Sequence, residues 1–187
     1  MALANDQLKD LARPRSQRQA DAHFLRAERH QIGHDAIHAA AGAVPAAFTS
    51  YAYYNSDKFN FYGEELMKRC MAYRSFLDAG IPVAAGSDFS PGPFDPRMAI
   101  QGMVTRTGWD GKTWGANQRI SVDEALRVNT INGAYNSHEE AIKGSITAGK
   151  LADFVVLSDD LFTVAKEKIR DIQIVRTVVG GATVYQA

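Results

Sequence analysis

The carboxylate of Asp88 closes a short apolar run, Ile81-Pro82-Val83-Ala84-Ala85-Gly86-Ser87-Asp88, and a Pro/Gly-rich stretch from Phe89 to Pro96 follows it. The run is too short for a helix and reads as a buried parallel strand that delivers a carboxylate at its C-terminal end. Enzymes of the α/β class place their chemistry there. An Asp before a Pro/Gly segment also serves simply to cap the next turn, and the local pattern alone leaves both readings open.

Three other groups carry residue types that do chemistry. His30, His34 and His38 recur every four residues and would form one stripe on a helix. The stretch His30-Gln31-Ile32-Gly33-His34 has the spacing of a zinc-binding helix, but Gln31 stands where a metalloprotease needs its glutamate base. A polar face that happens to contain histidines accounts for the stripe equally, because a metal site needs three or four converging ligands. The second group is the aromatic and polar stretch Ser50-Tyr51-Ala52-Tyr53-Tyr54-Asn55-Ser56-Asp57-Lys58-Phe59. Tyrosines present flat apolar faces with a polar tip, which suits a ligand-facing loop and equally a packed surface loop. The third, Gly144-Ser145-Ile146-Thr147-Ala148-Gly149-Lys150, has the spacing of a phosphate-binding loop. Leu151 replaces the hydroxyl residue that would hold magnesium, and the apolar run Phe154-Val155-Val156-Leu157 predicts a strand where such a loop needs a helix N-terminus.

The elements that must position these residues alternate. Val44 to Thr49 predicts a strand, and Glu64 to Ala79 a helix with Leu66, Met67, Cys70, Tyr73 and Leu77 on one face. The strand Val83 to Gly86 comes next, giving the strand, helix, strand rhythm of a parallel sheet. The Tyr51 to Tyr54 stretch and Asp88 then fall on the same rim. Pro96 suits the first turn of a helix reaching about Arg106. The segment Thr107 to Gly115 is a loop that carries both tryptophans, Trp109 and Trp114. Ser121 and Glu124 form a capping box that starts a helix running to about Ala134. Ile172 to Val179 and Ala182 to Tyr185, joined by Gly180-Gly181, predict a hairpin.

Bulk composition narrows the classes. In 187 residues, Lys+Arg 21 balance Asp+Glu 21 and 45% are hydrophobic, so neither a nucleic-acid partner nor a disordered character is expected. No apolar run approaches the roughly 20 residues that span a bilayer, and the N-terminus lacks a signal-peptide core, interrupted by Asp6, Lys9 and Asp10. Cys70 is the one cysteine and has no internal disulfide partner. A cytoplasmic protein without membrane contact is expected.

In succession, Asp78-Ala79-Gly80-Ile81-Pro82-Val83 into Gly86-Ser87-Asp88, Glu124-Ala125-Leu126 with Thr130-Ile131-Asn132, Lys143-Gly144-Ser145-Ile146, Gly149-Lys150-Leu151-Ala152-Asp153 and Val179-Gly180-Gly181 resemble the C-terminal part of a metal-dependent amidohydrolase. Within that family the sequence resembles the amidohydrolase family 3 type, the subgroup that includes N-substituted formamide deformylases. The resemblance implies an α/β fold: the C-terminal portion of a TIM-like (β/α)8 metal-dependent hydrolase barrel plus part of a small β-sandwich. Residues 1–42 are then an atypical, poorly ordered N-terminal segment, disordered or helical; residues 43–140 are the last strands and helices of the barrel, and 141–187 the β-rich tail.

By the same resemblance Asp88 is metal ligand and general base, the metal is divalent and in this family zinc, and the substrate is a small amide or formamide cut at a non-peptide carbon–nitrogen bond. Tyr53, Tyr54 and Phe89 would shape the substrate pocket. The family's His-x-His pair on the first barrel strand is absent from this sequence. The alternative is therefore a catalytically inactive fragment or interaction module, self-associating through an exposed barrel edge.

Overall fold

A computed structural model describes residues 42–187. The histidines at 30, 34 and 38 and the reading of the N-terminal segment lie outside the described residues. Strand β1 (Ala46–Phe48) pairs in parallel with β2 (Ala84–Gly86), with Phe48 opposite Gly86. The ladder continues past the strand ends, as Thr49 N–H donates to the Gly86 carbonyl at 3.1 Å. This is the expected strand, helix, strand unit, and both chain directions bring the segments after Phe48 and after Gly86 to one rim.

The connection between the strands differs from expectation in two places. The aromatic stretch is helical rather than a loop: α1 (Tyr51–Tyr54), a 3-10 turn (Ser56–Lys58) and α2 (Phe59–Tyr62) follow one another. The single helix expected from Glu64 to Ala79 is two, α3 (Glu64–Met67) and α4 (Tyr73–Asp78), separated at Met71, whose φ is 49°. A helix break exposes orphan carbonyls and amides that need partners. Here they come from far along the chain. Arg106 donates Nη2 to the carbonyls of Met67 (3.1 Å) and Cys70 (3.2 Å) and Nη1 to that of Met71 (3.3 Å), and Gln118 Oε1 accepts from Ser75 N–H at 3.1 Å. Arg106 is 1% exposed, and burial pushes its guanidinium pKa down.

Helix α5 (Pro96–Thr105) starts as anticipated, with Pro at its first position and the Asp95 carboxylate accepting from Arg97 N–H at 2.9 Å. The capping box at Ser121 is complete: Ser121 Oγ accepts from Glu124 N–H, and Glu124 Oε2 from Ser121 N–H. The helix it opens, α6 (Val122–Asn129), gives way at Thr130 to α7 (Ile131–Asn136), so the expected single helix is interrupted here too.

Strands β3 (Phe154–Leu157), β4 (Ile174–Val179) and β5 (Ala182–Gln186) form an antiparallel sheet in that order. The turn uses Gly180 and Gly181 at φ 57° and 81°, values that suit glycine in a two-residue hairpin. Between β3 and β4 the chain returns to α5. Leu161, Ile169 and Ile172 enter the same apolar cluster as Val83, Ile100 and Met103. Burying one such Ile contributes about 1.5–3 kcal/mol. The tail is thus packed onto the layer that supports the strand ends.

Candidate functional site

The register of β1 and β2 sets the site. Tyr51 lies just beyond Phe48 and Asp88 just beyond Gly86, and these two strand ends are partners in the ladder. The Tyr51 hydroxyl donates to Asp88 Oδ2 at 2.5 Å. Asp88 adopts a left-handed conformation, φ 53°, which turns the chain sharply out of the strand. Gly92 closes that turn. Its N–H donates to the Asp88 carbonyl at 2.8 Å, and a Cβ there would meet the Ser87 carbonyl oxygen at 2.0 Å and Tyr51 Cε1 at 3.0 Å. Only a residue without a side chain lets the loop lie this close to Tyr51.

The Tyr51 ring is also held by Phe48, with centroids 5.5 Å apart at 54°. The hydrogen bond to Asp88, followed by burial and the carboxylate's charge, pushes the Tyr51 phenol up from 10.0 to about 12. It therefore donates, and stays neutral, over the whole physiological range.

The three tyrosines of this segment take different places. Tyr54 is exposed at 45%, whereas Tyr53 is buried beneath the Arg170 guanidinium, 5.0 Å from its ring centroid. Phe89 is exposed and meets the exposed Phe94 edge-on, centroids 5.5 Å apart. The sequence put the whole Tyr51 to Tyr54 stretch on the rim and singled out Tyr53 and Tyr54 for the pocket, whereas the tyrosine that touches Asp88 is Tyr51. The signal was available in the spacing from the two strand ends, but only a known register makes it legible.

A cavity of about 260 Å³ opens beside this pair, between the strand ends and the start of α5. Thr49, Ser50, Ser87, Phe94, Asp95 and Asn129 line it. Asp88 is not on its wall. Ser50 is buried and its Oγ has no hydrogen-bond partner among the described residues. The Asp95 carboxylate, by contrast, is fully engaged by Arg97, whose Nε and Nη2 both donate to it at 3.0 Å.

Two other groups singled out from the sequence do no comparable work. Lys150 spends its ammonium on the carbonyls of Glu140 and Lys143, and β3 follows the loop, so this is not a phosphate cradle. Cys70 is half-buried, and desolvation pushes its thiol pKa up, away from reactivity.

A catalytic metal usually needs about three protein ligands. Among the described residues no group of three or more His, Cys, Asp or Glu is placed to hold an ion. One oxygen of Asp88 is moreover occupied by the Tyr51 hydroxyl. The described residues by themselves do not fit such a metal.

Comparison with known proteins places this geometry. The model of the amidohydrolase family matches residues 12–185. The N-substituted formamide deformylase of Arthrobacter pascens is 37% identical over 113 residues, covering 60% of this chain and 21% of that protein. A putative amidohydrolase, YtcJ, of Bacillus subtilis is 32% identical over 127 residues, 66% of this chain and 24% of its own length. Among solved structures, guanine deaminase of E. coli superposes with a TM-score of 0.60 at 19% identity over 87% of this chain and 38% of that one, a likeness of fold. The chain spans between a fifth and a quarter of the length of these two relatives. A family match over nearly the whole sequence, with a carboxylate at the end of a parallel strand, leads to one conclusion: the chain belongs to the amidohydrolase family.

Proposed function

We propose that the protein to which this chain belongs hydrolyses a non-peptide carbon–nitrogen bond of a small amide or formamide, with Asp88 as general base. The observation that carries the reading is the Asp88 carboxylate at the C-terminal end of β2, held by Tyr51. The relative named N-substituted formamide deformylase acts, by its name, on such a bond. The β1–β2 pair and its helices are read as the last part of a (β/α)8 barrel wall, and the β3–β5 sheet as part of a β-sandwich.

In this reading Asp88 accepts a proton from the water that attacks the carbonyl carbon and returns it to the departing nitrogen as the carbon–nitrogen bond breaks. Tyr54 and Phe89 offer exposed aromatic surface to the substrate, whereas Tyr53, buried beneath Arg170, offers none directly. The family resemblance implies a divalent metal, zinc, with Asp88 among its ligands. Its remaining ligands would come from outside the described residues.

The test is amine release from small N-substituted formamides. Asp88→Ala is expected to abolish it, and turnover that survives this change contradicts the assignment.

A second reading rests on exposed apolar strand residues, among them Val155 at 52%, Val184 at 62% and Tyr185 at 51%. Sheet faces of this composition are ordinarily covered. In that reading the chain is an interaction module that self-associates through the uncovered sheet. Concentration-dependent association in metal-free buffer, with no amide turnover, would favour it.

A further inference from the structure

We propose that Tyr51 is a positioning residue for Asp88, fixing the rotamer of its carboxylate so that one oxygen alone faces the reacting water. The inference rests on the reading of Asp88 as the base and deepens it. A carboxylate has two equivalent oxygens and turns readily about its side-chain bonds, so a base at a loop start needs a partner to select its orientation. Asp88 begins such a loop, at φ 53°. Tyr51 supplies the selection because its hydroxyl takes Oδ2, leaving Oδ1 as the oxygen free of that bond.

The tyrosine can do this because it is itself fixed from two sides. Phe48 packs on its ring, and the Gly92 turn approaches its Cε1 so closely that even a Cβ at that position would press on it. The ring belongs to the first residue of α1, and Thr49 before it is tied to Gly86 by the ladder. The position of the hydroxyl is therefore set by the same parallel register that sets Asp88. A tyrosine merely filling space would not need its polar tip on a carboxylate, whereas phenylalanine would fill the same volume.

Tyr51→Phe in the full chain keeps the ring and deletes the hydroxyl. The readout independent of activity is the pair of three-bond Hα–Hβ couplings of Asp88 by NMR. One rotamer in the wild type and averaged couplings in the variant are expected; couplings identical in both overturn the proposal. In a preparation that turns over amides, kcat is expected to fall on the order of 10- to 100-fold with KM unchanged. An unchanged kcat, where Asp88→Ala abolishes turnover, overturns it as well. Should Tyr51→Phe not fold, Asp88→Ala is read from the other side: the Tyr51 Cζ resonance is expected to move, and a resonance that stays contradicts the hydrogen bond. If Asp88→Ala leaves hydrolysis intact, the proposed function falls instead, while the couplings still decide the positioning.

Discussion

Tyr51 and Asp88, separated by 37 residues in sequence, meet at 2.5 Å because the strands before them pair in parallel with Phe48 opposite Gly86. The contact has a consequence for stability at high pH. The Tyr51 phenol is held at about 12 in the fold against an ordinary 10.0. A raised folded pKa means that this contribution is complete below the unfolded value and is lost as pH rises from there through the folded one. The stability difference between wild type and Tyr51→Phe is therefore expected to be constant from neutral pH to about pH 10 and to shrink between about pH 10 and 12. Urea midpoints of the two proteins across that window check it, and a difference that grows with pH contradicts the bond.

Arg106 is the second long-range organiser. Its guanidinium fork meets the carbonyls of Met67, Cys70 and Met71, and Nε meets that of Trp114 at 3.0 Å. Arg106→Ala leaves these buried and part-buried carbonyls without that donor and is expected to cost on the order of 3 kcal/mol. Arg106→Lys is expected to recover little, because a single ammonium cannot span the same acceptors. Denaturant melts of both variants decide it, and a lysine variant as stable as wild type would refute the account of the helix break.

The capping box at the start of α6 gives a smaller effect. Burial alone would raise the Glu124 pKa; the Ser121 amide and Arg74 outweigh it and hold the carboxyl below its ordinary range. Ser121→Ala is expected to cost about 1 kcal/mol. The carboxylate's own contribution, being that of a lowered pKa, is present above its unfolded value and is lost as pH falls through the folded one. Thermal unfolding at neutral and acid pH checks both statements.

Ile169 couples the tail to the strand layer. It is 0% exposed and lies in the cluster with Val83 and Met103. Ile169→Ala is expected to cost about 2–5 kcal/mol and to weaken hydrogen-exchange protection in α5 as well as near the substitution. Loss confined to residues 166–171 would show that the tail is an independent layer.

How much of this was legible in the sequence depends on the range of the interaction. Local chemistry was readable: the strand ending in Gly86-Ser87-Asp88, the Asp95–Pro96 helix start, the Ser121 box and the Gly180-Gly181 hairpin each depend on neighbouring residues alone. The helix break at Met71 was not, because an apolar stripe from Leu66 to Leu77 predicts continuity and the partners that stabilise the break, the donor Arg106 and the acceptor Gln118, lie more than thirty residues away. For the same reason Tyr53 and Tyr54 stood out as well as Tyr51 did, and only the parallel register distinguishes them. The aromatic stretch read as a loop because its helical turns are too short to show a period.

The central claim is that Asp88 carries the proton in carbon–nitrogen bond hydrolysis. The most direct measurement is kcat for amine release from an N-substituted formamide by wild type and Asp88→Asn, an isosteric change that keeps an acceptor for the Tyr51 hydroxyl. The account predicts a fall on the order of 10²- to 10⁴-fold with the fold intact. An Asp88→Asn protein that turns over substrate at the wild-type rate would contradict it.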